Sequence, residues 1–241
     1  MDAIKHQRDY YQATAGRYDS MHMEDEEHMY ALSILIALVK QLGINSVLDI
    51  GSGTGRAVLA IKKDAGICSI GIEPVQALRE QGYRKGLLLE ELIDGDVQKL
   101  AFPDGSFDLV CSFAVLHHVP KPRKAVSEML RVAKRGVFIS DANNFGQGSP
   151  SVRFFKQAIR SLGLWRVADC IKTGGKGYSI SEGDGLAYSY SVFDDYPQIS
   201  AACREVRLFA TAPSSGPNLY RSCPQIAIFG IKDSACASPP L

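Results

Sequence analysis

The 241-residue sequence has no apolar run approaching the roughly 18 residues that a membrane helix needs, so no membrane span is expected. It has no C-x-x-C pair. Its six cysteines, at positions 68, 111, 170, 203, 223 and 236, are scattered, so neither a metal site nor a disulfide framework is expected. Cys111 sits in an apolar strand pattern and reads as core. A dominant charge of one sign is also missing: 27 basic and 26 acidic residues leave a net charge of +1. No strong field is implied, and nucleic acid is not a favoured partner. The opening stretch MDAIKHQRDYYQ is polar and lacks the apolar core of a signal peptide. A cytoplasmic protein is expected. There is no internal repeat and no second hydrophobic core.

What is present is an ordinary globular balance, 46% hydrophobic and 22% charged, in a length that suits one large α/β domain with an elaboration. Strand-like segments recur at 46–50, 68–72, 91–93, 107–113 and 136–140. Helical patterns at 56–63, 75–80 and 123–133 lie between them, and a strongly apolar helix at 29–42 precedes them. Alternating strands and helices predict a doubly wound, mostly parallel sheet, whose ligands sit at the carboxyl ends of the strands. Two late strands at 206–210 and 225–231 bring the expected sheet to seven. After Asp141 the rhythm breaks. Residues 149–172 read as helix interrupted at Gly163, and 173–191 are rich in Gly, Ser and Tyr, too long for a plain linker.

The most informative stretch is Val47 to Arg56, VLDIGSGTGR. An apolar strand runs through Asp49 into Gly51, Gly53 and Gly55 at alternate positions. A buried strand that turns through glycines into a helix brings backbone amides against a ligand. Arg56 stands where the dinucleotide fingerprint G-x-G-x-x-G has its last glycine, which argues against a nicotinamide cofactor and for another adenosyl ligand. Glu73 ends the second strand pattern 20 positions after Gly53, the remove at which an acid accepts from a ribose diol. Asp96 follows the third strand, where a carboxylate can accept from an adenine amine.

Taken in order, VLDIGSGTGR, GIEP (71–74), DGDVQKLAFPDGSFDLVCSFAVLHHV (94–119) and RVAKRGVFISD (131–141) resemble the class I S-adenosylmethionine-dependent methyltransferases. The likeness is strongest to the small-molecule branch that includes the ubiquinone and menaquinone biosynthesis enzymes. It covers roughly residues 10 to 141. It implies a Rossmann-like fold with S-adenosylmethionine as cofactor and a small-molecule acceptor. The matching positions imply that Asp49, Gly51, Ser52 and Gly53 line the methionine part. Glu73 and Pro74 would hold the ribose, Asp96 and Val97 would frame the adenine, and Ser112 would approach the sulfonium. Tyr18, in TAGRYD, resembles the family's lid tyrosine; Tyr10 or Tyr11 could serve similarly. One methyltransferase domain over 1–241 is therefore expected. It would have an N-terminal lid and helix (1–45), a substrate-capping insertion after the fifth strand (143–196) and a flexible tail (233–241).

His117, His118 and Asp141 are the candidate catalytic groups, with imidazoles that titrate near neutrality and an acid at a strand end facing the acceptor. This family commonly carries His at this point whatever its substrate, which favours a packing or loop role for both. Asn143 and Asn144 could touch substrate or form a turn. Tyr178, Tyr188, Tyr190 and Tyr196 could line a pocket or serve as structural edges. Residues 152–167 read either as a basic amphipathic surface meeting a lipid-linked or anionic acceptor or, preferably, as a lid helix packed on the sheet with one solvated face. The function expected is methyl transfer to a small organic acceptor. A sugar or glycan intermediate is favoured by the polar insertion. An aromatic or quinone-type acceptor, or a cofactor-binding module without catalysis, is the alternative.

Overall fold

A computed structural model describes residues 3–21 and 26–232, so the expected tail at 233–241 lies outside the described residues. In chain order the elements begin with helices α1 (Ala3–Thr14), α2 (Tyr18–Met21) and α3 (Glu26–Leu42). The alternating body follows as β1 (Ser46–Ile50), α4 (Arg56–Ala65), β2 (Cys68–Ile72), α5 (Gln76–Arg84), β3 (Leu92–Ile93), β4 (Phe107–Phe113), α6 (Pro122–Val132) and β5 (Ala133–Ala142). The insertion carries α7 (Pro150–Ser161), α8 (Trp165–Lys172) and the strands β6 (Tyr178–Ser181) and β7 (Gly185–Tyr188). The chain then returns through α9 (Tyr196–Ala202), β8 (Glu205–Ala210), α10 (Leu219–Ser222) and β9 (Gln225–Ile231).

The sheet has seven strands in the order β3-β2-β1-β4-β5-β9-β8. Strands β1 to β5 pair in parallel, and β9 runs antiparallel to both of its neighbours. The expected doubly wound sheet is therefore present. Strand order reverses between β1 and β4, which opens a crevice at their carboxyl ends.

Side chains alternate across this sheet with a period of two. Val47, Leu109, Cys111, Phe138 and Phe229 meet α3 and α4 through Leu32, Leu35, Val39 and Ile61. Leu48, Ile50, Val110, Val137, Ile139 and Ile228 meet α6 and α9 through Val126, Met129 and Ile199. Both faces are covered, which is why these strands read as continuous apolar runs.

The insertion departs from a plain linker. Its Ser149 hydroxyl caps α7 by accepting from the Val152 amide, Pro150 opens that helix, and Gly163 at φ +73° separates α7 from α8. The Gly/Ser/Tyr-rich stretch folds into an antiparallel hairpin of β6 and β7, paired from Tyr178↔Tyr188 to Ser181↔Gly185. Asn143, expected to touch substrate or form a turn, is fully buried and lines neither of the two cavities described below. Its Nδ2 donates to the carbonyls of Tyr220 (2.8 Å) and Cys223 (2.9 Å), and its Oδ1 accepts from Ser191 Oγ (2.9 Å). One amide thus ties the start of the insertion, its return and the turn before β9. Replacing it strands buried carbonyls without a donor. Asn143→Ala is expected to cost about 2–4 kcal/mol, measured as the shift of a urea-unfolding midpoint; an unchanged midpoint would show that the amide is not a staple.

Candidate functional site

The site starts where β1 ends. Gly51 takes φ +68°, and a Cβ built there would lie 2.5 Å from a Val115 methyl, so only glycine lets this corner close against the loop after β4. The Ser52 amide donates to the Ile72 carbonyl (2.9 Å), tying the corner to the end of β2. Glu73 clamps the same junction from the other side. Its Oε2 accepts from the Gly53 amide (3.0 Å) and its Oε1 from the Val75 amide (2.8 Å). Burial pushes its carboxyl up to about 7 in spite of these two donors. Asp49 behaves alike: burial raises it to about 7, opposed by hydrogen bonds from Ser52 and the Cys111 thiol. Two buried acids poised near neutrality beside a bare peptide corner suit a ligand that brings positive charge and hydroxyl donors.

These groups open on a cavity of about 220 Å³, whose wall includes Tyr18, Asp49, Gly51, Ser52, Glu73, Pro74, Asp96 and Val97. Asp96 serves its turn as well, accepting from the Gln98 amide at 2.8 Å.

The N-terminal segment roofs the cavity. The Tyr18 hydroxyl stands 3.1 Å from the position a Cβ on Gly53 would take. Burial holds the Tyr18 phenol well above its ordinary range, so Tyr18 stays neutral. Asp19 latches the strap by accepting from Thr54 Oγ1 (2.6 Å) and pairing with Lys85 Nζ (2.5 Å). Further along the roof, Gln7 Oε1 accepts from the Leu186 amide (2.5 Å) and the Tyr10 hydroxyl donates to the Glu182 carbonyl (2.7 Å). Helix α1 is thereby joined to the β6–β7 hairpin.

The hairpin drops its turn residue Asp184 onto two stacked imidazoles, His117 and His118, whose ring centroids are 3.9 Å apart. His117 Nδ1 meets Asp141 Oδ1 at 2.7 Å, and its Nε2 meets Asp184 Oδ2 at 3.3 Å. Burial by itself would lower the His117 pKa, but the two carboxylates override it and raise it to about 10. Asp184 also lies 3.2 Å from His118 Nε2 through its other oxygen. Burial works against its ionisation, yet the hydrogen bonds from both histidines hold its carboxyl far below the usual range. His118 Nδ1 lies 2.6 Å from the Leu186 carbonyl, and its Nε2 lies 3.1 Å from the Tyr11 hydroxyl. Among the described residues this is the one cluster whose ligand atoms lie close enough to share a metal ion. The His117 imidazolium already supplies the positive charge that its two carboxylates require.

A second cavity of about 430 Å³ adjoins the first and shares His28, Ala114 and Asp184 with it. Ala114 takes φ +54°, a left-handed conformation rare for a residue with a side chain, at the point where the two chambers meet. The second wall is mostly polar, with Asn144, Gln147, Lys172, Ser179, Tyr188 and Tyr190.

Several sequence expectations change here. Ser112 does not reach the cavity: it is buried within β4, between its partners Ile50 and Ile139, and Phe113, Ala114 and Val115 form the wall instead. Gly53 stands behind Tyr18 and acts through its amide on Glu73. Asp141 is fully buried and lines neither cavity; it accepts from the Leu116 amide (2.8 Å), the Ala142 amide (2.7 Å) and His117. It therefore positions His117 rather than meeting an acceptor. His117, protonated near neutrality, is unsuited to act as a base. Sequence reading does not single out Gln7 or Asp184, and gives Tyr11 only as an alternative to Tyr18; here Tyr11 also meets His118. The only sequence signal for Asp184 is an acid between glycines in SEGDG (181–185), which marks a turn but not what the turn touches.

Comparison with known proteins agrees with this geometry. Residues 48–140 match the family model described as a methyltransferase domain. The chain is 38% identical to norajmaline N-methyltransferase of Rauvolfia serpentina over 96 residues, 38% of this chain and 33% of that protein. It is 30% identical to phosphatidylethanolamine N-methyltransferase of Cereibacter sphaeroides over 116 residues, 47% of this chain and 57% of that one. These matches thus span from a third to just over half of the relatives' length. In fold, the chain superposes on magnesium protoporphyrin IX methyltransferase from Synechocystis PCC 6803 with bound SAH at a TM-score of 0.64 and 16% identity, over 96% of this chain and 100% of that one.

Two outcomes follow from the geometry. Gly51→Val, placing methyls where Val115 already stands, is expected to abolish S-adenosylmethionine binding in titration calorimetry; unchanged affinity in a folded variant would remove the corner from the site. The raised carboxyls give a pH effect of definite sign. Glu73 and Asp49 hold protons in the folded state up to about 7, whereas in the unfolded chain they ionise near 4. The ligand-free protein should therefore lose stability as pH rises from about 4 to about 7. A cationic ligand favours the ionised acids, so affinity for S-adenosylmethionine should rise roughly tenfold between pH 6 and 8. A pH-independent Kd over that range would contradict it.

Proposed function

We propose, from the premise that this chain belongs to the class I S-adenosylmethionine-dependent methyltransferases, that it moves a methyl group from S-adenosylmethionine to a polar small molecule held in the second cavity. The observation that carries this reading is the pair of joined chambers. One is a bare peptide corner flanked by two buried acids, and the other is a polar room that meets it at Ala114 and Asp184.

When bound, the cofactor supplies a methyl group already activated on a sulfonium. The chain's task is then alignment and exclusion of water. Asp49, Ser52 and the amides of the corner suit the ammonium and carboxylate of the methionine part. Glu73 suits the ribose hydroxyls and Asp96 the adenine amine. Tyr18 and α1 cover this end and keep water out. Ala114 and Val115, where the chain leaves β4, form the threshold between the chambers.

Hydroxyl acceptors must lose a proton as they react. Asp184 is held too acidic to take it and His117 already carries one, so each can only orient the acceptor. His118 is the remaining imidazole of the cluster, beside Asp184 and the Tyr11 hydroxyl, and is the group we assign to receive that proton. A sugar or glycan intermediate fits the polar second wall. Tyr188 and Tyr190 on the same wall would suit an aromatic acceptor, the second reading.

A panel of sugar nucleotides and phenols with labelled S-adenosylmethionine separates these readings: turnover on phenols alone would overturn the sugar reading, and binding with no transfer to any acceptor would favour a non-catalytic module. With the acceptor so identified, His118→Ala is expected to lower kcat about 100-fold or more while cofactor affinity stays within twofold. An undiminished kcat would return His118 to a packing role.

A further inference from the structure

The insertion has an outer face that the methyl-transfer site leaves unused. Helices α7 and α8 contain no buried residue. Their inner side holds the body through polar and aromatic contacts: Arg160 pairs with Asp194 (2.5 Å) and lies 4.2 Å over the Phe145 ring, and Trp165 packs edge-on against Phe145 at 4.9 Å. The apolar residues that would normally seat a lid helix point elsewhere. Phe154, Phe155, Leu162, Leu164, Val167 and Ile171 are 52–76% exposed. The expected lid helix with a solvated polar face is thus inverted, with its polar side against the body and its apolar side outward.

Charge says what fits this face. Residues 150–177 hold six basic side chains (Arg153, Lys156, Arg160, Arg166, Lys172, Lys176) against one acid, Asp169, in a chain whose net charge is +1. Arg166, Lys172 and Lys176 are exposed beside the apolar residues. A two-fold contact with a second copy would set this basic patch against itself. An anionic lipid surface takes both components: apolar side chains enter the boundary of the acyl layer and the cations meet head groups.

We propose that the outer face of α7 and α8 docks this protein on an anionic lipid bilayer. The docking stands on this face alone. That the bilayer also presents the acceptor rests on the methyl-transfer reading: α8 and the hairpin place Lys172, Ser179 and Tyr188 on the wall of the second cavity, so a seated bilayer would lie next to the acceptor chamber.

The test is flotation of the full chain with vesicles of phosphatidylcholine alone or mixed with phosphatidylglycerol, at low and at high salt. Wild type is expected to bind the anionic vesicles at least tenfold better than the neutral ones, and to lose that preference at high salt. Phe154→Glu with Phe155→Glu should cut binding about tenfold. Arg166→Glu with Lys176→Glu should remove the preference for anionic lipid. Circular dichroism and S-adenosylmethionine affinity, both expected to match wild type, report that the variants are folded. Absence of S-adenosylmethionine binding in wild type and folded variants alike would count against the site, not the surface. Equal binding to both vesicle types, or folded variants that bind as well as wild type, would overturn the proposal. A dimer dissociated by the phenylalanine changes, with no vesicle binding, would overturn it in favour of a second copy.

Discussion

The chain of charges from Asp141 through His117 to Asp184 fixes the geometry on which the rest of the site depends. Asp141 is withdrawn from water altogether, and an isolated carboxylate there would carry a heavy desolvation cost. Two backbone amides and one imidazolium offset that cost, and the imidazolium in turn requires a second carboxylate on its far side. The hairpin supplies it. A loop 67 residues further along the chain is thereby fixed over the end of β4, with Asp184 between the two chambers.

The same economy of charge runs through the cofactor end. The pull of Arg79 on Glu73 and of Arg56 on Asp49 does not overcome burial, which holds both near the point of protonation. Structural acids in the same protein, such as Glu128 beside Arg131, are drawn below their ordinary range by their partners. The contrast is what makes Glu73 and Asp49 the acids proposed to meet a ligand.

The roof rests on an apolar seam of Tyr11, Ala15 and Tyr18 against Val75 and Leu78, and polar contacts between segments remote in sequence add to it: α1 to the hairpin through Gln7 and Tyr10, and the N-terminal segment to the glycine corner through Asp19, Thr54 and Lys85. Such contacts are individually modest and exchange readily with water.

The sequence by itself determined the sheet, its layers and the cofactor corner. These depend on local signals: two-residue and 3.6-residue periodicities, glycines where the backbone must come close, and acids at strand ends. It also marked the break at Gly163 and the histidines. Tertiary structure alone decided what those histidines do, that Ser112 and Asn143 serve the scaffold, and that Asp184 belongs to the site. It also decided which side of α7 and α8 faces water. The reason is that a side chain's role at a buried site is set by the charges brought beside it, and those arrive from segments far along the chain, at separations no periodicity records.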